Sequence, residues 1–165
     1  MNDLIAFIYK NAAAFILAAA AVAAGVVVMV VADMTNFTGD LAETVANLNS
    51  LYHGYPDFSS MSNQVAYNNS PSSMHGTGNT LITPWNGTVT FSVDANPSMY
   101  DIAVTNIPDS QCSKTATALG SGVQSVSVNG TAFTSSANGV DPGEIEGACG
   151  STGTGTNSVT YVIGK

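Results

Sequence analysis

Residues 11–32, NAAAFILAAAAVAAGVVVMVVA, carry no charge, and the chain after them is polar and rich in Gly, Ser, Thr and Asn. A helix needs about 20 apolar residues to cross a bilayer, so this run is long enough to span one. It serves equally as the buried stem of a protein filament, and the choice between those fates decides what the chain does. An Ala-x-Ala-like end lies near Ala21–Gly25, yet the first nine residues lack the basic region that a secretory signal carries. The run is therefore expected to belong to the working protein.

The rest of the chain has room for one domain. Only 8% of the residues of the whole chain are charged, against roughly 25% in ordinary soluble domains. Eleven acids face three lysines, Lys10, Lys114 and Lys165, with no arginine and a formal charge of -8. No nucleic-acid partner is expected, because neutralising phosphates takes several Lys or Arg; phosphorylated substrates are disfavoured for the same reason. Such a low-charge, hydroxyl-rich surface is common outside the cell. There, Cys112 and Cys149 are most simply one disulfide, worth about 4 kcal/mol in the loop-entropy account. The other reading is two free or metal-binding thiols, which no CxxC and no nearby His supports.

Asn2 and Asp3 suit a helix start, with Asp3 at the positive end of the dipole. One helix is expected from there to about Leu51. Its first half is apolar nearly all round; in its second half Met34, Phe37, Leu41, Val45 and Leu48 recur at helical spacing, with Asp33, Asp40 and Glu43 on other faces. His53-Gly54-Tyr55-Pro56 ends it. Within the apolar half, Ala14, Ala18, Ala21 and Gly25 share a face, and small residues at that spacing let helices approach closely. Residues 56–84 read as irregular or short-helical. Strands are expected over Thr88–Val93, Tyr100–Ile107, Val123–Val128, Thr131–Phe133 and Val159–Ile163, with a short helix from Pro108-Asp109-Ser110 to near Leu119-Gly120. Asn129-Gly130 is a two-residue hairpin signal, and Ser135–Gly155 reads as a loop. One long helix on an antiparallel sheet is an α+β fold.

No catalytic constellation emerges, so no enzyme and no cofactor are expected. His53 and His75 fall in loops without clustered acids or thiols, and no Lys follows Gly120-Ser121-Gly122 or Gly150–Gly155 at phosphate-loop spacing. Asp141, Glu144 and Glu146 are carboxylates of the kind that suit calcium, but they lack EF-hand spacing and read as a solvated acidic loop. Asn36, Asn86 and Asn129 each open a glycosylation sequon; Asn129 is better explained by its turn.

The order of pieces resembles a type IVb pilin, of the kind that builds toxin-coregulated, bundle-forming and conjugative thin pili. The apolar helix runs into an amphipathic half and then the Tyr52–Tyr55 segment. Pro84-Trp85-Asn86-Gly87 precedes the first strand, and Cys112 opens a short helix behind Ile107-Pro108. Val126-Ser127-Val128-Asn129-Gly130 follows, then Ala148-Cys149-Gly150 before a last apolar strand. The resemblance implies an αβ-roll head, an exposed disulfide-bounded region and helical assembly through the N-terminal helices. It also exposes a departure: the family's glutamate at the fifth mature residue is Ile5 here, and Asp3 is the acid nearby, with Met1 as the mature or starting residue.

The resemblance thus implies a structural subunit of an extracellular filament, with residues 1–32 as stem and 33–165 as head. Its partners would be identical copies, the inner membrane before assembly, and a receptor or recipient cell. Met1, Asp3, Ala14, Ala18, Ala21 and Gly25 would carry assembly. A minor pilin or a type II secretion pseudopilin is the neighbouring reading. A single-span, membrane-anchored binding module is the alternative of another class, made less attractive by the lack of a Lys/Arg cluster beside the span.

Overall fold

Helix α1 opens the described structure, a computed structural model that describes residues 36–136, 139–150, 153 and 155–165. It covers residues 36–52, ending beside the expected Leu51. Phe37, Leu41, Val45, Leu48 and Tyr52 are all buried, so the helical periodicity becomes one core-facing stripe. Each such side chain contributes about 2 kcal/mol by leaving water. Thr44 lies buried among them, and its hydroxyl donates to the Asp40 carbonyl one turn back at 2.7 Å, which meets its polar need within the helix. The end of α1 is closed by Lys165, whose ammonium donates to the carbonyls of Tyr52, at 3.0 Å, and Tyr55, and lies 5.5 Å from the Phe58 ring centre. A cation there satisfies orphan carbonyls and complements the helix dipole.

The segment after α1 is short-helical, as expected: α2 spans Asn63–Asn68, and two single 3-10 turns follow at Ser72–Met74 and Thr77–Asn79. Six antiparallel strands then form one sheet: β1 Leu81–Ile82, β2 Thr88–Val93, β3 Met99–Pro108, β4 Ser125–Val128, β5 Thr131–Thr134 and β6 Thr156–Gly164. Their order is β1-β2-β3-β6-β4-β5. The last strand in sequence therefore sits inside the sheet, paired with β3 on one side and β4 on the other. Tyr100, Ile102 and Val104 on β3, Val159, Tyr161 and Ile163 on β6, and Val126 and Val128 on β4 point inward and join the α1 stripe in one buried cluster. The opposite face of the sheet is mostly small hydroxyl residues. Asp101 sits there among them; burial first, and the nearby Asp94 second, raise its carboxyl above the ordinary range. Layered helix on antiparallel sheet is the α+β arrangement anticipated from the periodicities.

Strand ends moved where pairing, rather than local pattern, decides them. β4 starts at Ser125 instead of Val123, and β6 reaches back to Thr156 because its partners continue that far. β1 has only two residues, too short to register as a pattern. Because it is short, the Phe91 N–H on β2 has no strand partner there and donates to the Asn63 side chain at 3.2 Å instead.

Two turns show why particular residues stand where they do. Asn129 and Gly130 adopt φ of 52° and 86°, the left-handed pair that a two-residue hairpin demands. At the same end of the strands but the opposite edge of the sheet, a turn from Thr83 to Gly87 brings Trp85 against Phe37, with ring centres 5.2 Å apart and edge to face. The Trp85 indole N–H donates to the Thr105 carbonyl at 3.3 Å, and the Gly87 backbone passes so close to β3 that a Cβ there would lie 1.9 Å from that same oxygen. Gly87→Ala is expected to cost about 3 kcal/mol, since backbone has to move to make room; urea unfolding of the head would measure it, and a loss below about 1 kcal/mol would show that the turn shifts freely.

Candidate functional site

Among the described residues, the most organised polar region lies around the two cysteines. Helix α3, Asp109–Ala116, carries Cys112 on its buried side; helix α4, Pro142–Ala148, ends at Cys149. The two sulfurs are bonded, with Cα atoms 5.7 Å apart and a sequence separation of 37. Cys112 is fully buried and Cys149 partly so. The bond closes a loop that contains the β4–β5 hairpin.

Helix α4 falls inside the stretch expected to be a loop. Pro142, Gly143 and Gly147 make it a poor helix by propensity. Three features, the last of them tertiary, form it nonetheless. The Asp141 carboxylate accepts the Gly143 N–H at 2.8 Å as a cap, Pro142 occupies the first turn, where its missing N–H costs nothing, and Ile145 and Ala148 are buried against the rest of the head. Its acids are thereby accounted for: Asp141 caps, and Glu144 and Glu146 are exposed. Among the described residues no group of His, Cys, Asp and Glu could hold a metal.

Behind the disulfide, Asn157 at the start of β6 is 3% exposed. Its side-chain oxygen accepts the Gly150 N–H at 2.8 Å and the Asn129 amide at 2.7 Å; its nitrogen donates to the Ile107 carbonyl at 3.2 Å and the Asp109 carboxylate at 2.7 Å. Asn129 also donates to the Ala148 carbonyl at 2.9 Å and accepts the Ser158 N–H at 2.9 Å. Its amide nitrogen is thus engaged inside the fold, so its sequon serves the turn. Gly150 follows Cys149 with φ of +76°, a backbone state glycine adopts freely. On the other side of α3, the Tyr161 hydroxyl from β6 donates to the Thr115 carbonyl, and burial pushes its phenol well above the usual range. Helices α3 and α4, the hairpin turn and the central strand are therefore locked to one another around Asn157.

The remaining candidates are scattered. His53 is exposed at the end of α1, while His75 stacks on Tyr67, with ring centres 3.9 Å apart, and its Nε2 lies 3.1 Å from the Ser70 hydroxyl. Gly120–Gly122 is a single 3-10 turn. Met1, Asp3, Ala14, Ala18, Ala21 and Gly25 lie outside the described residues, as does the whole apolar run; among the described residues no helix is long and apolar enough to cross a membrane. The joint role of Asn157 and Asp109 was missed from sequence, where Asp109 marked only the start of a short helix. No spacing signals it, because the partners of Asn157 come from three separate segments, at 107–109, 129 and 150.

Residues 30–164 match the family described as PilS N terminal. Among solved structures the fold is similar to a crystal structure of a type IVb pilin from Salmonella typhi, at 20% identity and a TM-score of 0.52, over 79% of this chain and 96% of that one. No curated protein matches the sequence.

Proposed function

The chain belongs to the PilS N-terminal family, a family of type IVb pilins, and from that premise we propose that it is the repeating subunit of an extracellular type IVb pilus. Residues 1–32 are the stem and 33–165 the head. The observation that carries this reading is the junction between them. The apolar run ends at residue 32, and from residue 36 the chain is a helix with one stripe buried under the sheet. The exposed side of that helix carries the small residues Gly39, Ala42, Ala46 and Ser50 beside Glu43, Asn47, Asn49 and Leu51, and small residues on a helix face let neighbouring helices come close. In the proposed filament, the small face of the stem, Ala14, Ala18, Ala21 and Gly25, plays the same part.

Stacked identical copies meet through different surfaces, and such a heterologous contact does not close on itself, so it extends into a helical filament. The stem rests in the inner membrane before assembly and in the filament core afterwards. Work at the cell surface, such as contact with a recipient cell or adhesion to a receptor, follows from display of the disulfide-bounded face.

Asp3 takes the place of the missing glutamate, where the chain has Ile5, by pairing with the terminal amine of a neighbouring copy. A carboxylate in an apolar assembly is costly unless partnered. Asp3→Ala tests this directly. Loss of surface filaments with normal membrane insertion is the expected result, because loss of a mere helix-start acid, worth about 0.3–1 kcal/mol, leaves assembly intact. Normal filament numbers in that variant would remove the pairing from the account.

A further inference from the structure

We infer that Asn157 is a positioning residue for disulfide formation: its amide brings Cys149 to Cys112 before the two are joined. This concerns maturation of the head and stands independently of the filament reading. A side-chain amide has two N–H donors and one oxygen with two lone pairs, and Asn157 uses all four. Turning the amide over would set its NH2 against the Gly150 N–H and the Asn129 NH2, and its oxygen against the Ile107 carbonyl and the Asp109 carboxylate. One orientation is therefore enforced.

The four partners lie beside the cysteines. Gly150 directly follows Cys149, Asp109 is one helical turn before Cys112, Ile107 leads into that helix, and Asn129 holds the Ala148 carbonyl just ahead of Cys149. None of these contacts involves sulfur, so they remain available in the reduced chain. Asn157 also comes from the strand paired with β3 and β4, so it ties both half-cystines to the centre of the sheet.

With oxidised glutathione as the oxidant, the chemistry proceeds in two exchanges. The thiolate of Cys149, the more exposed cysteine, attacks a glutathione sulfur, breaking its S–S bond and releasing one glutathione thiolate. Cys112 then loses its proton and attacks the Cys149 sulfur of the mixed disulfide; the protein S–S bond forms and the second glutathione leaves. Two protein thiols are oxidised and one glutathione disulfide is reduced to two thiols. Held at the geometry around Asn157, Cys112 has a high effective concentration at the second step, while the first step depends only on access to Cys149.

The test uses the full chain in detergent micelles, reduced and then exposed to glutathione redox buffers, with acid quenching, alkylation and mass analysis of each species. Asn157→Ala is expected to slow the second exchange and to lower the effective concentration of the thiols by about tenfold or more, the scale of losing well-made buried hydrogen bonds. Its first exchange should be unchanged or faster. Asp109→Ala, which removes one exposed arm and keeps Asn157, should give a smaller drop in the same step. Asp141→Ala, at the other end of α4, should stay within about twofold of the parent, since its cap lies away from both sulfurs. If Asn157→Ala does not fold, Asp109→Ala against Asp141→Ala decides. Equal second-step rates in parent and Asp109→Ala, or an equal loss in Asp141→Ala, would overturn the assignment.

Discussion

Cells producing the chain without residues 1–32 are expected to carry no filaments of it and to hold the head as a soluble monomer. Deleting the run removes the most apolar surface in the sequence, and burial of such surface stabilises an assembly by about 25 cal/mol per Å² taken from water. What remains has little reason to associate. Asp3 and Lys10 cancel, so the head keeps the formal charge of -8: the eleven acids less Asp3 against the three lysines less Lys10. Like-charged heads without a shared stem repel one another. The head should fold nonetheless, since the buried cluster from Phe37 to Ile163 lies entirely within it. Sedimentation of the purified head and microscopy of the cell surface check both halves. Filaments built from the truncated head would show that the stem is not what carries assembly.

Asn157→Asp is expected to cost about 3–5 kcal/mol, as much as truncating a large core side chain, although it changes only an NH2 to an oxygen. The carboxylate keeps the bonds from Gly150 and Asn129 but turns an acceptor toward the Ile107 carbonyl and the Asp109 carboxylate, where two donors stood. A buried charge left without a counterpart and facing another carboxylate costs that much in comparable settings. The loss should depend on pH. The new carboxyl binds a proton more tightly folded than unfolded, because only the protonated form donates toward Asp109. The destabilisation is therefore full near pH 7 and shrinks as pH falls through the raised folded-state value. Unfolding in urea at pH 7 and pH 5 would read this; equal losses at both would contradict the buried-charge explanation.

The elements legible in the sequence are those whose cause is local. The stripe Phe37, Leu41, Val45 and Leu48 announces α1 because helical periodicity is written in adjacent turns, and Asn129-Gly130 announces its hairpin because few residues accept left-handed backbone twice in succession. Val159, Tyr161 and Ile163 mark a strand by alternation, but nothing local says that it belongs between β3 and β4, since that follows from pairings far apart in the chain. Helix α4 was hidden because Pro142, Gly143 and Gly147 look like loop residues, and it is held by a cap, one buried isoleucine and its tertiary neighbours. Asn157 was hidden more deeply. An asparagine among Thr, Ser and Gly has no signature, and its role exists only once Ile107, Asp109, Asn129 and Gly150 have converged. The expected assembly residues Met1, Asp3, Ala14, Ala18, Ala21 and Gly25 are legible as sequence and lie outside the described residues, so they stand as proposals.

The most direct test of the central claim is an image reconstruction of filaments sheared from cells that express the chain, combined with peptide mapping of the same preparation. The proposed account predicts filaments composed of this chain, with the head of residues 33–165 repeating on the outside and helical density for residues 1–32 packed copy against copy at the axis. A chain that stays in the membrane fraction while the sheared filaments contain other proteins, or filaments whose axis is not built from that segment, would contradict it.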